Sequence, residues 1–202
     1  APAWDQIAGA YAGLPAVARR IAFSNLTASP LAGMASTIAR YGDEIQKPSA
    51  QRYPEFTDAR LEGLKFGLFS SAPVYADMEE AQLAAWLGEA QKALGAEDPF
   101  VKAALGGQAP AAVAKQVMAG TALADPAARK ALIEGGPAAI KASADPLVAL
   151  ARRVEPVIRE LRAWQEEKIQ SVEGRAGQKI AEARFAVYGK SAYPDANFNL
   201  RL

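Results

Sequence analysis

Hydrophobic residues in the first 189 positions recur at spacings of three and four, which is typical of amphipathic helices. The segment 76–94 is the clearest case, because Leu83, Leu87 and Leu94 fall near one helical face. The same spacing predicts three more helices in the N-terminal part: Trp4–Phe23 with a bend or break at Gly13 and Pro15, Leu31–Gln46, and Asp58–Phe69 with Thr57 as its N-cap.

Asp-Pro pairs predict helix starts in the middle of the chain. An aspartate can accept hydrogen bonds from the first turn, and proline lacks only an N–H that would have no helical partner. The pairs are Asp98-Pro99, Asp125-Pro126 and Asp145-Pro146, and their unequal spacing excludes a regular repeat. Glycines able to adopt the left-handed conformation predict the stops. The predicted short helices are Pro99–Leu105, Pro110–Met118, Pro126–Glu134 and Pro137–Ser143, and the predicted stops are Gly106-Gly107, Gly120 and Gly135-Gly136.

The longest periodic segment runs from Pro146 to Tyr188, and Gly189 is its predicted stop. Pro156 either kinks this helix or divides it into two. Glu155 precedes Arg159 by four positions, which is the favourable orientation for a helical ion pair.

The C-terminal residues follow a different pattern. Apolar and polar residues alternate there with the period of a half-buried strand, and a lone strand needs partners that no other segment offers. The predicted fold is therefore all-α, an irregular multi-helix domain over residues 1–189 with a long C-terminal helix. Residues 190–202 are predicted to begin a second, β-rich domain. The alternating apolar residues are Phe198, Leu200 and Leu202, with Asn197, Asn199 and Arg201 between or beside them.

The segment Tyr193–Asn197 is either a binding loop or a shaped connector, and its composition favours the connector. Proline suits the entrance to a strand, and short polar side chains can bind free main-chain groups. We therefore expect the side chains of Asp195 and Asn197 to form hydrogen bonds with the nearby main chain.

Composition narrows the possible partners. The chain has 202 residues with 23 basic and 22 acidic side chains spread along it, so no basic stripe indicates nucleic-acid binding. No run of about 18 apolar residues predicts a membrane span.

Histidine and cysteine are both absent. The chain by itself therefore cannot form a Ser-His-Asp or Cys-His catalytic arrangement, and zinc sites are disfavoured because they depend on these residues. No catalytic residue, metal ligand or cofactor is predicted, and substrate-binding residues stay undefined.

Adjacent acidic residues are the first candidates for acid–base chemistry. Neighbours on a helix point about 100° apart, so such a pair does not share a proton. Solvated helix surface is the favoured interpretation of all three pairs. They are Asp43-Glu44, Glu79-Glu80 and Glu166-Glu167.

Aromatic residues concentrate between positions 53 and 75, where they either line a peptide groove or anchor helices to a core. The core interpretation is favoured. Asn25 begins an Asn-Leu-Thr sequence that matches the glycosylation pattern, and we interpret this match as accidental. The aromatic cluster comprises Tyr53, Phe56, Phe66, Phe69 and Tyr75.

Several segments of the chain carry a family resemblance. They are Gly63–Phe69, Ala72–Tyr75, Leu123–Asp125, Arg129–Leu132, Ala142–Pro146, Ala183–Gly189, Tyr193–Phe198 and Leu200–Leu202. Together they resemble bacterial serine dipeptidyl peptidases of the dipeptidyl-peptidase 7 and 11 family. The resemblance covers most of the chain from about Tyr53 onward, and its C-terminal motif is the most specific part.

The resemblance implies a helical domain inserted between the two β-barrels of a chymotrypsin-like peptidase that removes N-terminal dipeptides. The catalytic His and Asp of that family precede this region and its Ser follows it, so none of the three falls on this chain. An asparagine of the helical domain holds the substrate amine in the family, but no motif assigns that role to Asn25, Asn197 or Asn199. The resemblance also implies a periplasmic or cell-surface location.

On this basis, residues 1–189 are expected to form a helical cap domain, and residues 190–202 the start of the second barrel, which is otherwise missing from the chain. The cap would shape the peptide cleft without being catalytic by itself. Its expected partners are the remaining double-barrel catalytic domain and a peptide substrate, with a homodimer of the parent as a further expectation. The alternative is a free-standing helical interaction or scaffold module. The P1 preference is not determined by this chain.

Overall fold

The computed structural model describes residues 2–189, and these residues form helices joined by short loops. The all-α prediction with a long C-terminal helix is confirmed for this part of the chain, in which no β-strand occurs. The predicted strand at Phe198–Leu202 and the predicted hydrogen bonds of Asp195 and Asn197 lie outside the described residues. The boundary between 1–189 and 190–202 stays a prediction.

Eleven α-helices are found between residues 2 and 189, together with two 3₁₀ turns, at Ser49–Gln51 and Pro54–Phe56, and one π-turn. The helices are α1 (Pro2–Tyr11), α2 (Leu14–Phe23), α3 (Pro30–Glu44), α4 (Asp58–Leu68), α5 (Ala76–Leu94), α6 (Pro99–Leu105), α7 (Pro110–Gly120), α8 (Pro126–Glu134), α9 (Gly136–Ala142), α10 (Pro146–Gln165) and α11 (Ser171–Tyr188).

The chain divides into two compact units. The larger one, Arg19–Glu160, is called the helical body below, and the smaller one, Ala1–Ala18 with Leu161–Leu202, is called the terminal unit. In the helical body α5 packs along α7, while α3 packs against α8 and α9. Its core is built from the apolar stripes of these helices, since such side chains gain most from leaving water. The largest fully buried apolar residues are Leu26, Ile38, Phe56, Leu83, Leu87, Phe100, Leu123, Leu147, Val148 and Leu150.

The three predicted aspartate caps are confirmed. Oδ1 of Asp98 accepts a hydrogen bond from the Phe100 N–H at 2.8 Å, and Asp125 accepts one from Ala127 at 2.8 Å. Asp145 accepts one from Leu147 at 2.9 Å. Each bond satisfies a first-turn donor that the helix itself cannot pair, so the local sequence alone fixes these helix starts.

Three of the five glycines in the predicted stops are left-handed and two are not. Gly106, Gly107 and Gly136 have φ of 55°, 82° and 66°. The left-handed prediction is wrong for Gly135, with φ −72°, and for Gly120, which ends α7 without a positive φ. A lack of room for a side chain explains why glycine stands at these two positions. A Cβ on Gly120 would lie 2.9 Å from Cγ of Pro146, and one on Gly135 would lie 2.6 Å from Cβ of Ala139.

Thr57 precedes α4, but its side chain does not cap the helix as predicted. Its hydroxyl donates to the carbonyl of Pro54 at 2.9 Å, and Oγ of Ser49 accepts the hydrogen bond from the Asp58 N–H instead. The cap comes from nine residues upstream because the two 3₁₀ turns bring that segment back to the start of α4.

Residues 146–188 are helical throughout, as α10, a π-turn over Glu166–Gln170, and α11. Pro156 lies inside α10 and does not divide it. A proline inside a helix removes one backbone hydrogen bond, and here the surrounding packing of the helix overrides that local cost.

The terminal unit pairs α1 with α11. The hydroxyl of Tyr11 donates a hydrogen bond to Oε1 of Glu173 at 2.6 Å. This hydrogen bond raises the pKa of the tyrosine. Gly13 lies against Trp164, whose ring would be 3.5 Å from an added Cβ. The predicted break near Gly13 and Pro15 is therefore confirmed, since α1 ends at Tyr11 and α2 begins at Leu14.

Candidate functional site

Glu44 is fully buried, although the Asp43-Glu44 pair was predicted to be solvated. Its Oε1 accepts hydrogen bonds from Nη1 of Arg159 and from Nζ of Lys47, each at 2.6 Å. Its Oε2 accepts one from the Tyr53 N–H at 2.9 Å. The solvated interpretation is therefore wrong for Glu44 and right for Asp43, which is exposed.

The surroundings of Glu44 change the acidity of both members of its ion pair. Burial by itself raises the pKa of Glu44, but hydrogen bonds from Arg159, Lys47 and Tyr53 together bring that pKa below its usual range. Burial likewise acts to lower the pKa of Arg159, and the hydrogen bond to Glu44 with nearby acidic charge raises it overall. Glu44 is therefore held as a carboxylate inside the helical body.

Glu155 extends this buried network along α10. Arg40 binds it at two points, Nε to Oε1 at 2.8 Å and Nη2 to Oε2 at 3.0 Å. Nη2 of Arg159 lies 3.4 Å from the same carboxylate, which confirms the predicted pair of Glu155 and Arg159. Arg159 also lies over the ring of Tyr53, 5.1 Å from its centre. Positive and negative charges thus alternate through the network, in the order Arg40, Glu155, Arg159, Glu44 and Lys47.

Beside this network lies a groove of about 720 Å³ between α3, α9 and α10, called the charged groove below. Gly42 allows α3 to approach α9 closely, because an added Cβ would lie 3.3 Å from Cγ2 of Ile140. The groove combines an apolar surface with a charged one. Its lining comprises Ala39, Gly42, Asp43, Gln46, Pro137, Ala138, Ile140, Lys141, Arg152, Glu155, Pro156 and Arg159.

Two cations of the charged groove are not neutralised by any carboxylate within residues 2–189. Arg152 donates from Nη1 to the main-chain oxygen of Lys141 at 2.7 Å, which fixes the guanidinium beside the end of α9. Arg152 and Lys141 are both exposed. Arg159, in contrast, already pairs with Glu44, Asp43 and Glu155. The groove therefore has one end with available positive charge.

The second acidic pair is also partly buried. Glu79 is only 7% exposed, and its Oε2 accepts hydrogen bonds from Oγ of Ser29 at 2.5 Å and from the Leu31 N–H at 2.9 Å. A carboxylate at the start of α3 satisfies first-turn donors and interacts well with the helix dipole. The solvated interpretation is wrong for Glu79, which ties α5 to the start of α3.

The third pair agrees with the surface interpretation. Glu166 accepts a hydrogen bond from Nε of Arg162 at 2.9 Å, and the exposed Glu167 pairs with Lys168 at 2.7 Å. Such contacts contribute little to chemistry or stability because water screens them.

The aromatic cluster divides between core and surface. Phe56 is buried, and Tyr53 and Phe69 pack against the core. The core prediction is wrong for Phe66 and Tyr75, which are 83% and 66% exposed. In α4 the buried face carries Leu68, and a residue two positions earlier points about 200° away, toward water.

Asn25 closes the turn after α2. Its side chain donates to the Ala22 carbonyl at 2.8 Å and accepts from the N–H and hydroxyl of Thr27 at 3.0 and 2.6 Å. Its main-chain oxygen accepts a hydrogen bond from Nε1 of Trp86 at 2.7 Å. These bonds give Asn25 a structural role. Asn197 and Asn199 lie outside the described residues.

Arg129 is a buried residue for which the sequence analysis predicts no role. It is 1% exposed and donates to main-chain oxygens at the end of α4 and in two loops, at Leu68, Ser70, Leu123 and Ala124. Burial lowers its pKa, and Asp125 acts in the opposite direction. No sequence signal could identify this role, because main-chain carbonyls are present at every position.

Between residues 2 and 189, no three acidic side chains come close enough together to hold a metal ion, in a sequence without His or Cys. None of the helices in that range combines the length and the apolar character that crossing a membrane requires.

Residues 2–189 thus form an all-α structure with a buried charge network and a groove that carries cations without a carboxylate partner. The model of the Peptidase S46 family matches residues 1–202, and the chain therefore belongs to that family. Membership places the chain among peptidases and indicates a domain of a dipeptidyl peptidase, a family whose substrates are peptides. A search of curated proteins found no match to the chain.

Proposed function

We propose that this chain is the helical cap domain of a serine dipeptidyl aminopeptidase of the dipeptidyl-peptidase 7 or 11 type. It shapes the peptide-binding cleft and restricts access to N-terminal dipeptides, and it is not catalytic alone. The observation that carries the proposal is a family match over the whole of a chain that contains no histidine. A serine triad needs an imidazole as its base, so that base must come from another part of the parent protein.

Exposed apolar side chains of the terminal unit support the proposal that another part of the protein packs next to the end of α11. Trp4 shares a hollow with Ile180 and Ala183, and Val187 follows four positions later on the same face of α11. Trp4 and Val187 are 62% and 74% exposed. Apolar side chains grouped in this way favour a covered surface. In this proposal the catalytic barrel, entered through residues 190–202, covers it.

The remaining features of the parent rest on the resemblance alone. They are the double β-barrel, the catalytic serine, a periplasmic or cell-surface location and a homodimer. Fractionation of cells that express the parent gene would test the location, since export predicts the protein in the periplasmic or surface fraction.

The runner-up function is a free-standing helical interaction module. In that case the apolar surface around Trp4 and Val187 would be buried in a symmetric dimer rather than by a barrel. Sedimentation of the chain distinguishes the two, because a module forms a dimer that the Val187→Ser substitution disrupts. A cap domain remains a monomer with or without that change.

Peptidase assays test the proposal directly. The complete parent protein and the 202-residue chain are incubated with a fluorogenic dipeptidyl substrate and with its N-acetylated form. The complete protein is expected to hydrolyse only the substrate with a free amine, and the chain alone neither. Hydrolysis by the chain alone, or a complete parent that is inactive on dipeptidyl substrates, would overturn the proposal.

A further inference from the structure

We propose that the charged groove binds the free C-terminal carboxylate of a short peptide, with Arg152 and Lys141 as the carboxylate contacts. The inference rests on the proposed function, because it takes a peptide as the ligand. It adds a site for the end of the peptide opposite to the dipeptide that would be removed.

The position of Arg152 suits this role. One N–H of its guanidinium is used by the Lys141 carbonyl at 2.7 Å, and four N–H donors are left. The bond holds the planar group in place, so less side-chain freedom is lost when a carboxylate binds at two points. Lys141, whose main chain Arg152 contacts, also lines the groove from α9 and adds a second charge.

The shape of the groove suits a peptide of a few residues. Its volume of about 720 Å³ falls within the usual range of roughly 300–1,000 Å³ for small-ligand sites. Arg152, Glu155, Pro156 and Arg159 lie on one face of α10, which spans about 10 Å from the first to the last at ~1.5 Å per residue. About three residues of extended peptide cover that length at roughly 3.3 Å each.

The other lining residues favour a peptide over a phosphate or a polyanion. Asp43 lines the same groove, and its exposed carboxylate repels a ligand that carries several negative charges. A peptide with a blocked amine and uncharged side chains has a single carboxylate, which can bind at the Arg152 end of the groove while the neutral part of the peptide lies along the rest of it. Ile140, Pro137 and Pro156 then offer an apolar surface to the peptide side chains.

Titration calorimetry on the 202-residue chain tests the site with acetyl-tetra-alanine as the free acid and as the C-terminal amide. Acetylation removes any contribution from recognition of the peptide amine. The acid is expected to bind at least about tenfold more tightly than the amide, since one charge-assisted contact of ~1.4 kcal/mol corresponds to tenfold. Equal affinity for acid and amide, or binding of neither, would overturn the inference.

Matched variants locate the binding. Arg152→Gln and Lys141→Gln are each expected to weaken binding of the acid about five- to tenfold and to leave the amide unaffected. Arg60→Gln and Lys115→Gln remove exposed cations of the helical body outside the groove and serve as controls. Controls that weaken binding as much as the groove variants would contradict the assignment, and unchanged thermal unfolding shows that all four variants fold.

Chemical shifts test the location of the ligand, and the activity of the parent separates this inference from the proposed function. Amide chemical shifts of Gly42 and Ile140 should move with the acid and not with inorganic phosphate at the same concentration. Selective binding of the acid by a parent inactive on dipeptidyl substrates would leave the groove assignment standing and reject the proposed function. If the parent is active but the chain binds the acid and the amide with equal affinity, the proposed function stands and the groove assignment is rejected.

Discussion

Nη1 of Arg159 donates to Oε1 of Glu44 at 2.6 Å, which joins α10 to α3 across 115 positions of sequence. The carboxylate has no contact with water, and Lys47 and the Tyr53 N–H complete its hydrogen bonds. A buried carboxylate is stable only when its hydrogen bonds and charge are satisfied, so Glu44 depends on its two cations and its main-chain donor.

The substitution Glu44→Gln tests how far the helical body depends on this set. Glutamine has nearly the same size but leaves Lys47 without its carboxylate partner and leaves Arg159 with only its longer contacts to Asp43 and Glu155. Breaking a buried pair costs about 3–5 kcal/mol, and we expect about 2–3 kcal/mol because Arg159 is 27% exposed. Urea unfolding measures the change. Glu62→Gln, which removes an exposed partner of Lys65, should cost under about 0.5 kcal/mol, and equal losses would contradict the prediction.

Acid should remove the contribution of Glu44 to stability. Although burial raises its pKa, the three hydrogen bonds lower that pKa overall in the folded state, while in the unfolded chain it is about 4.3. The stabilisation is therefore present above the unfolded pKa and is lost as the pH falls through the folded pKa. Unfolding at pH 7, 5, 4 and 3 should show the wild type and Glu44→Gln converging below about pH 4. A constant difference between them would reject this assignment.

Arg129 should be more sensitive to substitution than its exposed neighbour Lys130. Arg129→Met leaves four main-chain oxygens without their donor, at roughly 1 kcal/mol or more for each buried group. We expect a loss of about 3 kcal/mol or more in the free energy of unfolding. Lys130→Met, in the same helix, should change it by less than about 0.5 kcal/mol. Similar midpoints for the two variants in thermal unfolding would show that Arg129 holds nothing together.

Trp86 offers a test of a single hydrogen bond. The Trp86→Phe variant keeps a ring near Phe23, whose centre lies 5.5 Å away, and loses the bond from Nε1 to the Asn25 carbonyl. We expect about 1 kcal/mol of destabilisation. In contrast, Trp86→Ala should cost about 2–3 kcal/mol because the packing is also lost. Trp4→Phe, at an exposed position, is the matched control and should be nearly neutral in the same denaturant titration.

Local patterns predicted the helices well because helix formation depends on near neighbours. The bounds Ala76–Leu94 for α5, Pro99–Leu105 for α6 and Pro126–Glu134 for α8 agree with the prediction. Asp98, for example, caps α6 by accepting a hydrogen bond from the N–H of Phe100, only two residues further along the chain. Thr57 failed as a cap because a residue brought back by two turns, Ser49, took that place.

The charged groove could not be predicted in the same way. Its residues come from three helices, and Arg152 and Lys141 resemble any other surface cations in the sequence. Glu44 and Glu79 were interpreted as solvated for the same reason. Acidic residues are mostly exposed, and the partners that make these two exceptions are distant in sequence, such as Arg159 for Glu44.

The sequence by itself determined the helical class, most of the helix starts, and the absence of a histidine that could serve as a catalytic base. Each follows from single residues or from neighbours within about one helical turn. Only the tertiary structure decided which charges are buried and where cations remain unpaired. The physical reason is that burial and ion pairing depend on which helix faces meet, as when Gly42 lets α3 approach Ile140 of α9 and Arg159 reaches Glu44.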